Sequence, residues 1–257
     1  MRWLRYLYRV PLLAWHVVVD LPLVLLLMAV GGGRVERRMV QMWSAGLMRV
    51  FGFRVRSLGT PLPGVAMFVA NHVSWADIVA LHSQRMMGFV AKREIASWPL
   101  IGWMASRADT IFHERGSTES LGGVLQQMLA RLRAGGSVGV FPEGRTRRGD
   151  AVGPFHARIF TAAVEAGVPV QPVAVRYGDG GRDQMAVAFR PGESFLGNFF
   201  RVLGEPGRAA EICFLAPIPA GSAEGRRRIA ELSRERIVAA MPAGIGSRKQ
   251  ISAARAG

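Results

Sequence analysis

From Phe53 onward the chain alternates short β-rich apolar runs with helical stretches, which confines it to α/β architectures in which helices cover a sheet. Strands are expected over 53–57, 65–70, 87–91, 109–113, 137–141, 170–176, 185–190 and 210–215, and helices over 76–84, 118–134, 156–166 and 223–240. Gly135-Gly136 and Gly167 fall where helices should stop, because glycine enters the left-handed region without steric cost. No internal repeat is present. The pattern divides the chain into residues 1–52, an α/β domain over 53–241, and a small, polar and basic tail over 242–257 that is expected to be disordered.

Residues Val10 to Val30 are almost uninterrupted in their apolarity, and 21 residues at about 1.5 Å each would cross the hydrocarbon core of a bilayer. Pro11, His16, Asp20 and Pro22 interrupt the run, so an interfacial or re-entrant helix fits as well as a spanning one. Arg2, Arg5 and Arg9 before it and Arg34, Arg37 and Arg38 after it give no orientation bias. No small-residue cleavage site follows, which speaks against a removed signal peptide. Val35 to Val50 reads as a second helix with Met39, Met42, Trp43, Leu47 and Val50 on one side. The two together predict a membrane-associating helical hairpin.

The net charge of +15 sits mostly at the ends: residues 1–60 carry nine Arg against Asp20 and Glu36, and residues 226–257 carry eight basic residues against Glu231 and Glu235. The middle is nearly balanced. This distribution suits an anionic membrane surface or an acidic carrier better than a nucleic-acid groove, and no interleaved aromatics or recognition motif point to nucleic acid. Cys213 is the only cysteine and lies in an apolar run, as a buried thiol would; no CxxC or Cys/His cluster marks a metal site.

Two strings carry chemistry. Asn71-His72-Val73-Ser74-Trp75-Ala76-Asp77 places a histidine five residues before an aspartate, just past an apolar strand. On one continuous helix that spacing turns through about 500°, leaving the side chains roughly 140° apart. The pair can meet only at a strand–loop–helix junction, with Ser74 suited to cap a helix starting near Trp75. Asp77 would then hold one ring nitrogen protonated and leave the other free to take a proton from a hydroxyl. The second string, Phe141-Pro142-Glu143-Gly144-Arg145-Thr146-Arg147-Arg148-Gly149, follows another strand and is rich in glycine and guanidinium, as an anion clamp would be.

The first string resembles the NHxxxxD block of the glycerolipid acyltransferases, the family that contains 1-acylglycerol-3-phosphate acyltransferases. Ile111 to Arg115 is similar to its second block, Phe141 to Arg145 to its FPEG block, and Val168-Pro169-Val170-Gln171-Pro172-Val173-Ala174 to its fourth, in matching order over roughly 53–216. The resemblance implies a mixed, mostly parallel sheet flanked by helices. It implies transfer of a fatty acyl chain from acyl-CoA or acyl carrier protein to the free hydroxyl of 1-acylglycerol-3-phosphate, giving phosphatidic acid, at the cytoplasmic face of the inner or plasma membrane. It makes His72 the general base and Asp77 its orienting partner. Arg115 becomes a phosphate contact, Lys92 a further one, and Glu143, Gly144 and Arg145 the polyol-phosphate block. No nucleophilic Ser or Cys, cofactor or metal is implied, and Pro172 would shape a turn. Two departures stand out: Arg145-Thr146-Arg147-Arg148 replaces the usual Thr-Arg-Ser continuation, and His113-Glu114 replaces an apolar residue and Asp. They leave room for another acceptor, such as lyso-ornithine lipid, and a non-catalytic lipid-binding protein of the same fold is the alternative from a different class.

Overall fold

Seven strands form one sheet in the computed structural model, which describes residues 1–30, 33–98, 101–113 and 118–242. In chain order they are β1 (Phe53–Leu58), β2 (Met67–Ala70), β3 (Gly88–Lys92), β4 (Ile111–His113), β5 (Val138–Val140), β6 (Val170–Tyr177) and β7 (Arg208–Phe214). Their spatial order is β1-β7-β6-β2-β5-β3-β4, and only the β6/β7 pair is antiparallel. Met67 lies opposite both Val138 and Val170, so β2, β5 and β6 run in step and point to one edge of the sheet. In parallel sheets that edge is where ligands bind.

The helices are α1 (Arg2–Trp15), α2 (Leu21–Val30), α3 (Gly33–Val50), α4 (Ala76–His82), α5 (Ile101–Arg107), α6 (Thr118–Arg133), α7 (Thr161–Ala166), α8 (Gln184–Val187), α9 (Phe195–Leu203) and α10 (Gly225–Ala240). They cover both faces. Phe68 and Ala70 of β2 pack with Leu47, Met48 and Phe51 from the α3 side, Ala80 and Leu81 of α4, and Val202 and Leu203 of α9. Met67 and Val69 point the other way, into Val124 and Met128 of α6, Ala162 of α7 and Ile229 of α10. Successive strand residues serve opposite faces, and with both faces covered all four positions of β2 are apolar and buried. Gly167 ends α7 at φ +65°, as its place in the sequence predicts.

α1 and α2 join through one π-helical turn, His16–Asp20, in which the Leu21 N–H reaches back to the His16 carbonyl. Pro22 follows at once. It has no N–H to give and crowds the carbonyl four residues earlier, and the wider turn relieves that crowding. The two polar residues that break the apolar run are satisfied inside the hairpin. His16 Nδ1 lies 2.9 Å from Asp20 Oδ2, its Nε2 lies 3.0 Å from the Trp43 carbonyl of α3, and the His16 and Trp43 rings stack.

The first turns of α1 are fastened to the α/β body. Arg5 donates to the Gly204 carbonyl, Tyr6 to Phe200 O at 2.7 Å, and Arg9 to both Leu203 O and Glu205 O at 2.8 Å. These carbonyls belong to the last turn of α9 and the two residues after it, at the end of the helix that favours cations such as Arg5 and Arg9. α3 also adds Leu47 and Met48 to the main core, with Phe51 just beyond its end, so the hairpin packs directly on the α/β body.

Three sequence expectations change. Residues 185–190 are not a strand: Gly178 turns the chain at φ +76°, and Gln184 then bonds to Tyr177 N and Val175 O, closing the end of β6 before another strand can extend. Helices α5 and α9 were not expected. Pro172 makes no turn and sits within β6 opposite Val69, where its missing N–H is compensated because Gln171 Nε2 donates to the Leu215 carbonyl instead.

Candidate active site

At the end of β2 the chain leaves the sheet through Asn71, whose side chain pairs with both the N–H and the C=O of Val175 on β6. The amide thereby extends the ladder by one position and fixes where the loop begins. Trp75 takes the N-cap position of α4, one residue after Ser74; the Ser74 hydroxyl still accepts the Ala76 N–H at 3.3 Å. The loop and first helical turn bring Asp77 back to the imidazole, the junction that the five-residue spacing demands.

The His72 Nδ1 donates to Asp77 Oδ2 at 2.8 Å, a tautomer assigned from this partner. Asp77 is fully buried, and the same oxygen accepts the N–H groups of Val73 (2.7 Å) and Ser74 (2.9 Å). Its other oxygen accepts the Tyr177 hydroxyl at 2.7 Å. Four donors therefore hold the carboxylate in one orientation. Burial, and then the adjacent Asp77 charge, push the Tyr177 phenol well above the ordinary tyrosine range, so it stays a donor. The His72 side chain keeps 13% of its surface exposed, and its Nε2 makes no hydrogen bond among the described residues. Phe141 stacks on the ring at 3.9 Å between centroids, and Phe89 stacks in turn on Phe141. The imidazole is gripped on one edge and one face, with one nitrogen left to work.

The loop after β5 is tied to the same histidine. Gly144 takes φ +69° in the turn after Phe141, and a Cβ there would stand 3.3 Å from the His156 ring. Glu143 is corrected by the structure: it was expected to meet substrate, yet it is 2% exposed and its carboxylate accepts the N–H of His72 (3.0 Å), the N–H of Gly153 (2.7 Å) and Nε of Arg147 (3.1 Å). It braces two loops from within. Burial raises its pKa, and its three donors and the nearby charges oppose that rise. Arg147 closes the brace by donating its backbone N–H to the His72 carbonyl at 2.7 Å.

Arg145 is exposed on this loop, and Lys92 is exposed at the end of β3, on the sheet edge where β2 ends. Arg115 lies outside the described residues, as does the tail from residue 243. Sequence reading missed Tyr177, one hundred residues from its partner, as well as the stacking role of Phe141 and the Trp75 Nε1 bond to Asn198 Oδ1 at 3.0 Å. Only the stacking had a local signal, an aromatic at the end of a strand beside the Glu143 loop. Among the described residues no group of His, Cys, Asp and Glu could hold a metal ion.

Comparison with known proteins places the chain among acyltransferases. A family model described as Acyltransferase matches residues 54–176. The lyso-ornithine lipid O-acyltransferase of Pseudomonas aeruginosa is 39% identical over 202 residues, which is 78% of this chain and 76% of that protein. The 1-acyl-sn-glycerol-3-phosphate acyltransferase of Neisseria gonorrhoeae is 40% identical over 117 residues, 46% of each chain. The crystal structure of the 1-acyl-sn-glycerophosphate (LPA) acyltransferase PlsC from Thermotoga maritima has a TM-score of 0.72 to this one at 18% identity, covering 100% of this chain and 99% of that chain, which is a likeness of fold.

Proposed function

Since the chain belongs to the glycerolipid acyltransferase family, we propose that it acylates the free hydroxyl of lyso-ornithine lipid from a thioester donor, with His72 as general base. The observation that carries the mechanism is the His72–Asp77 pair with Nε2 unengaged. Nε2 takes the proton of the acceptor hydroxyl while its oxygen attacks the thioester carbonyl. As the C–S bond breaks, the thiolate leaves and takes that proton from the imidazolium, giving an ester and a free thiol. Asp77 stabilises the imidazolium between the two proton transfers, and its four donors keep its own geometry fixed.

The choice of acceptor rests on extent of likeness. The lyso-ornithine lipid enzyme aligns along most of both chains, whereas the glycerophosphate enzyme of Neisseria aligns over less than half. A second reading, with 1-acylglycerol-3-phosphate as acceptor, draws on that shorter match and on the exposed Arg145 and Lys92, which are suited to bind phosphate at the same sheet edge. Purified protein offered acyl-CoA or acyl carrier protein thioesters with lyso-ornithine lipid, lysophosphatidic acid and glycerol 3-phosphate decides between them. Preference for lysophosphatidic acid would overturn the first reading.

The reaction is proposed to take place at the cytoplasmic surface of the membrane. Arg2–Met28 is long and apolar enough to cross a bilayer, but Arg5, Tyr6 and Arg9 bind its first turns to α9, and His16 binds its middle to α3. A helix tied to the protein along one side suits immersion in one leaflet better than a crossing. Trp3, Leu7, Val18 and Leu26 on its surface stand exposed, and the arginines of the N-terminal segment add attraction to anionic headgroups. Protease treatment of sealed vesicles of each orientation tests the side: cleavage from the outer face of intact cells would refute it.

A further inference from the structure

Four rings stand in a column beside the His72–Asp77 pair. His82, in the last turn of α4, meets Phe89 of β3 edge-on at 5.1 Å between centroids, Phe89 stacks on Phe141 at 5.3 Å and 11°, and Phe141 stacks on His72 at 3.9 Å and 15°. The far end is rigid. His82 is buried, its Nε2 donates to the Met87 carbonyl at 2.9 Å, and burial lowers its pKa, so the ring stays neutral. Phe89 lies directly opposite Gly139 of β5, where a Cβ would stand 2.6 Å from the Phe89 ring and 2.8 Å from the Met87 sulfur, so a glycine leaves the ring its place. Phe141 is pinned through its carbonyl, which accepts the Gly144 N–H at 3.0 Å. Helix α4 thus holds the imidazole twice: Asp77 of its first turn takes Nδ1, and His82 of its last turn backs the rings that cover one face.

The two stacks in this column are not alike. Neutral aromatic rings prefer to lie offset or edge-to-face with centroids about 4.5–7 Å apart, because their like-signed faces repel. Phe89 and Phe141 follow that preference at 5.3 Å. Phe141 and His72 do not: with carbon atoms in contact at roughly 3.5 Å, a centroid distance of 3.9 Å leaves little lateral offset, and the two π-faces overlap closely. A cation reverses the sign of that interaction, since the negative face of the ring attracts it. His72 becomes such a cation once Nε2 has taken a proton. Its side chain keeps 13% of its surface exposed, so water does little to screen the attraction.

We propose that Phe141 is a positioning residue that acts through charge as well as shape: its π-face stabilises the His72 imidazolium formed during acyl transfer, while Phe89 and Gly139 hold it face-on. This rests on the acyl-transfer reading above, in which His72 is the general base. Asp77 and Phe141 then divide the task. Asp77 fixes which ring nitrogen is free. The Phe141 face attracts the imidazole more strongly after the proton arrives than before, and an interaction that strengthens between ground state and transition state is the kind that raises a rate. A second carboxylate in its place would favour a ring already protonated before substrate arrives, whereas an uncharged ring adds its attraction without that penalty.

The test replaces Phe141 by mono-, di- and trifluorophenylalanine, which keep the shape and apolarity of the ring while draining charge from its face step by step. The assay is a single turnover with saturating acyl-CoA and whichever of lyso-ornithine lipid and lysophosphatidic acid the wild type acylates faster. The rate should fall with each fluorine, to about a tenth of the wild-type value for the trifluoro ring. The half-saturating concentrations of both substrates and the thermal unfolding midpoint should hold, since neither depends on the imidazolium. Phe141→Leu should lose at least as much rate. Trifluorophenylalanine at Phe214, in β7 and outside the column, controls for fluorination and should leave the rate unchanged. Equal rates across the series would overturn the proposal and reduce Phe141 to packing. A rise in a half-saturating concentration at constant rate would also overturn it, by giving the ring to substrate binding. Retained turnover in His72→Ala would sink the general-base reading itself, whereas an inactive His72→Ala with a flat fluorine series would sink this inference alone.

Discussion

At the residue scale the site depends on a carboxylate that is satisfied from every side. Asp77 takes the imidazole, two backbone N–H groups and the Tyr177 hydroxyl, and the last can be removed without disturbing the others. Tyr177→Phe should keep the fold, lower kcat about tenfold and leave both KM values near wild type, since a hydrogen bond to a charged group contributes on the order of 1.5–3 kcal/mol. A wild-type kcat would show that Tyr177 does no more than fill the core. His72→Ala should abolish transfer with an unchanged circular dichroism spectrum, and residual turnover at the wild-type rate would refute the general base. Glu143→Ala leaves Arg147 and two N–H groups facing an empty space, and the loss of a buried charge partner should cost roughly 3–5 kcal/mol in denaturant unfolding. If Glu143 instead met substrate from an exposed position, stability would hold and only KM would rise.

At the scale of elements, α9 links the N-terminal hairpin to the loop that carries His72. Its C-terminal carbonyls receive Tyr6 and Arg9, and its Asn198 receives the Trp75 indole, two residues from Asp77. Phe51, Trp75 and Phe199 meet edge-on or tilted in the same contact. Ser194 caps α9, and Glu193 just before it bonds Arg201 through both oxygens; this hydrogen bonding, more than any other cause, lowers the Glu193 pKa from 4.5 to about 2. A carboxylate with a depressed folded pKa stabilises the protein above its unfolded value and loses that contribution as pH falls towards the folded one. Between about pH 4.5 and 2, therefore, this pair should drop out. Glu193→Gln should lower the unfolding midpoint at pH 7, and the gap from wild type should close in this acid window. A gap that is equal at both pH values would contradict the linkage.

At the scale of the whole molecule, the apolar outer side of α1 and α2, the inner bonds to α9 and α3, and the arginine-rich ends are what the proposed seating on a membrane surface rests on. Replacing Trp3, Leu7 and Leu26 by Ser should reduce sedimentation with anionic vesicles several-fold and spare turnover of a detergent-dispersed acceptor; unchanged sedimentation would place the anchor elsewhere. Much of this was legible in the amino-acid order. Seven of the eight expected strands occur because β-rich runs between turn residues carry their signal locally, and the His72–Asp77 junction follows from spacing alone. The misread 185–190 run shows the limit: its apolar residues suit a strand, but Gly178 and the Gln184 side chain had already closed β6. By itself the sequence determined the α/β class, the meeting of His72 with Asp77 at a strand–loop–helix junction and the apolar hairpin, all of which are written in periodicity and short spacing. Only the tertiary structure decided that Tyr177 completes the Asp77 shell and that Glu143 turns inward. Those contacts depend on strand order and on which way each loop folds over the sheet edge, and no local spacing encodes the meeting of residues so far apart in the chain.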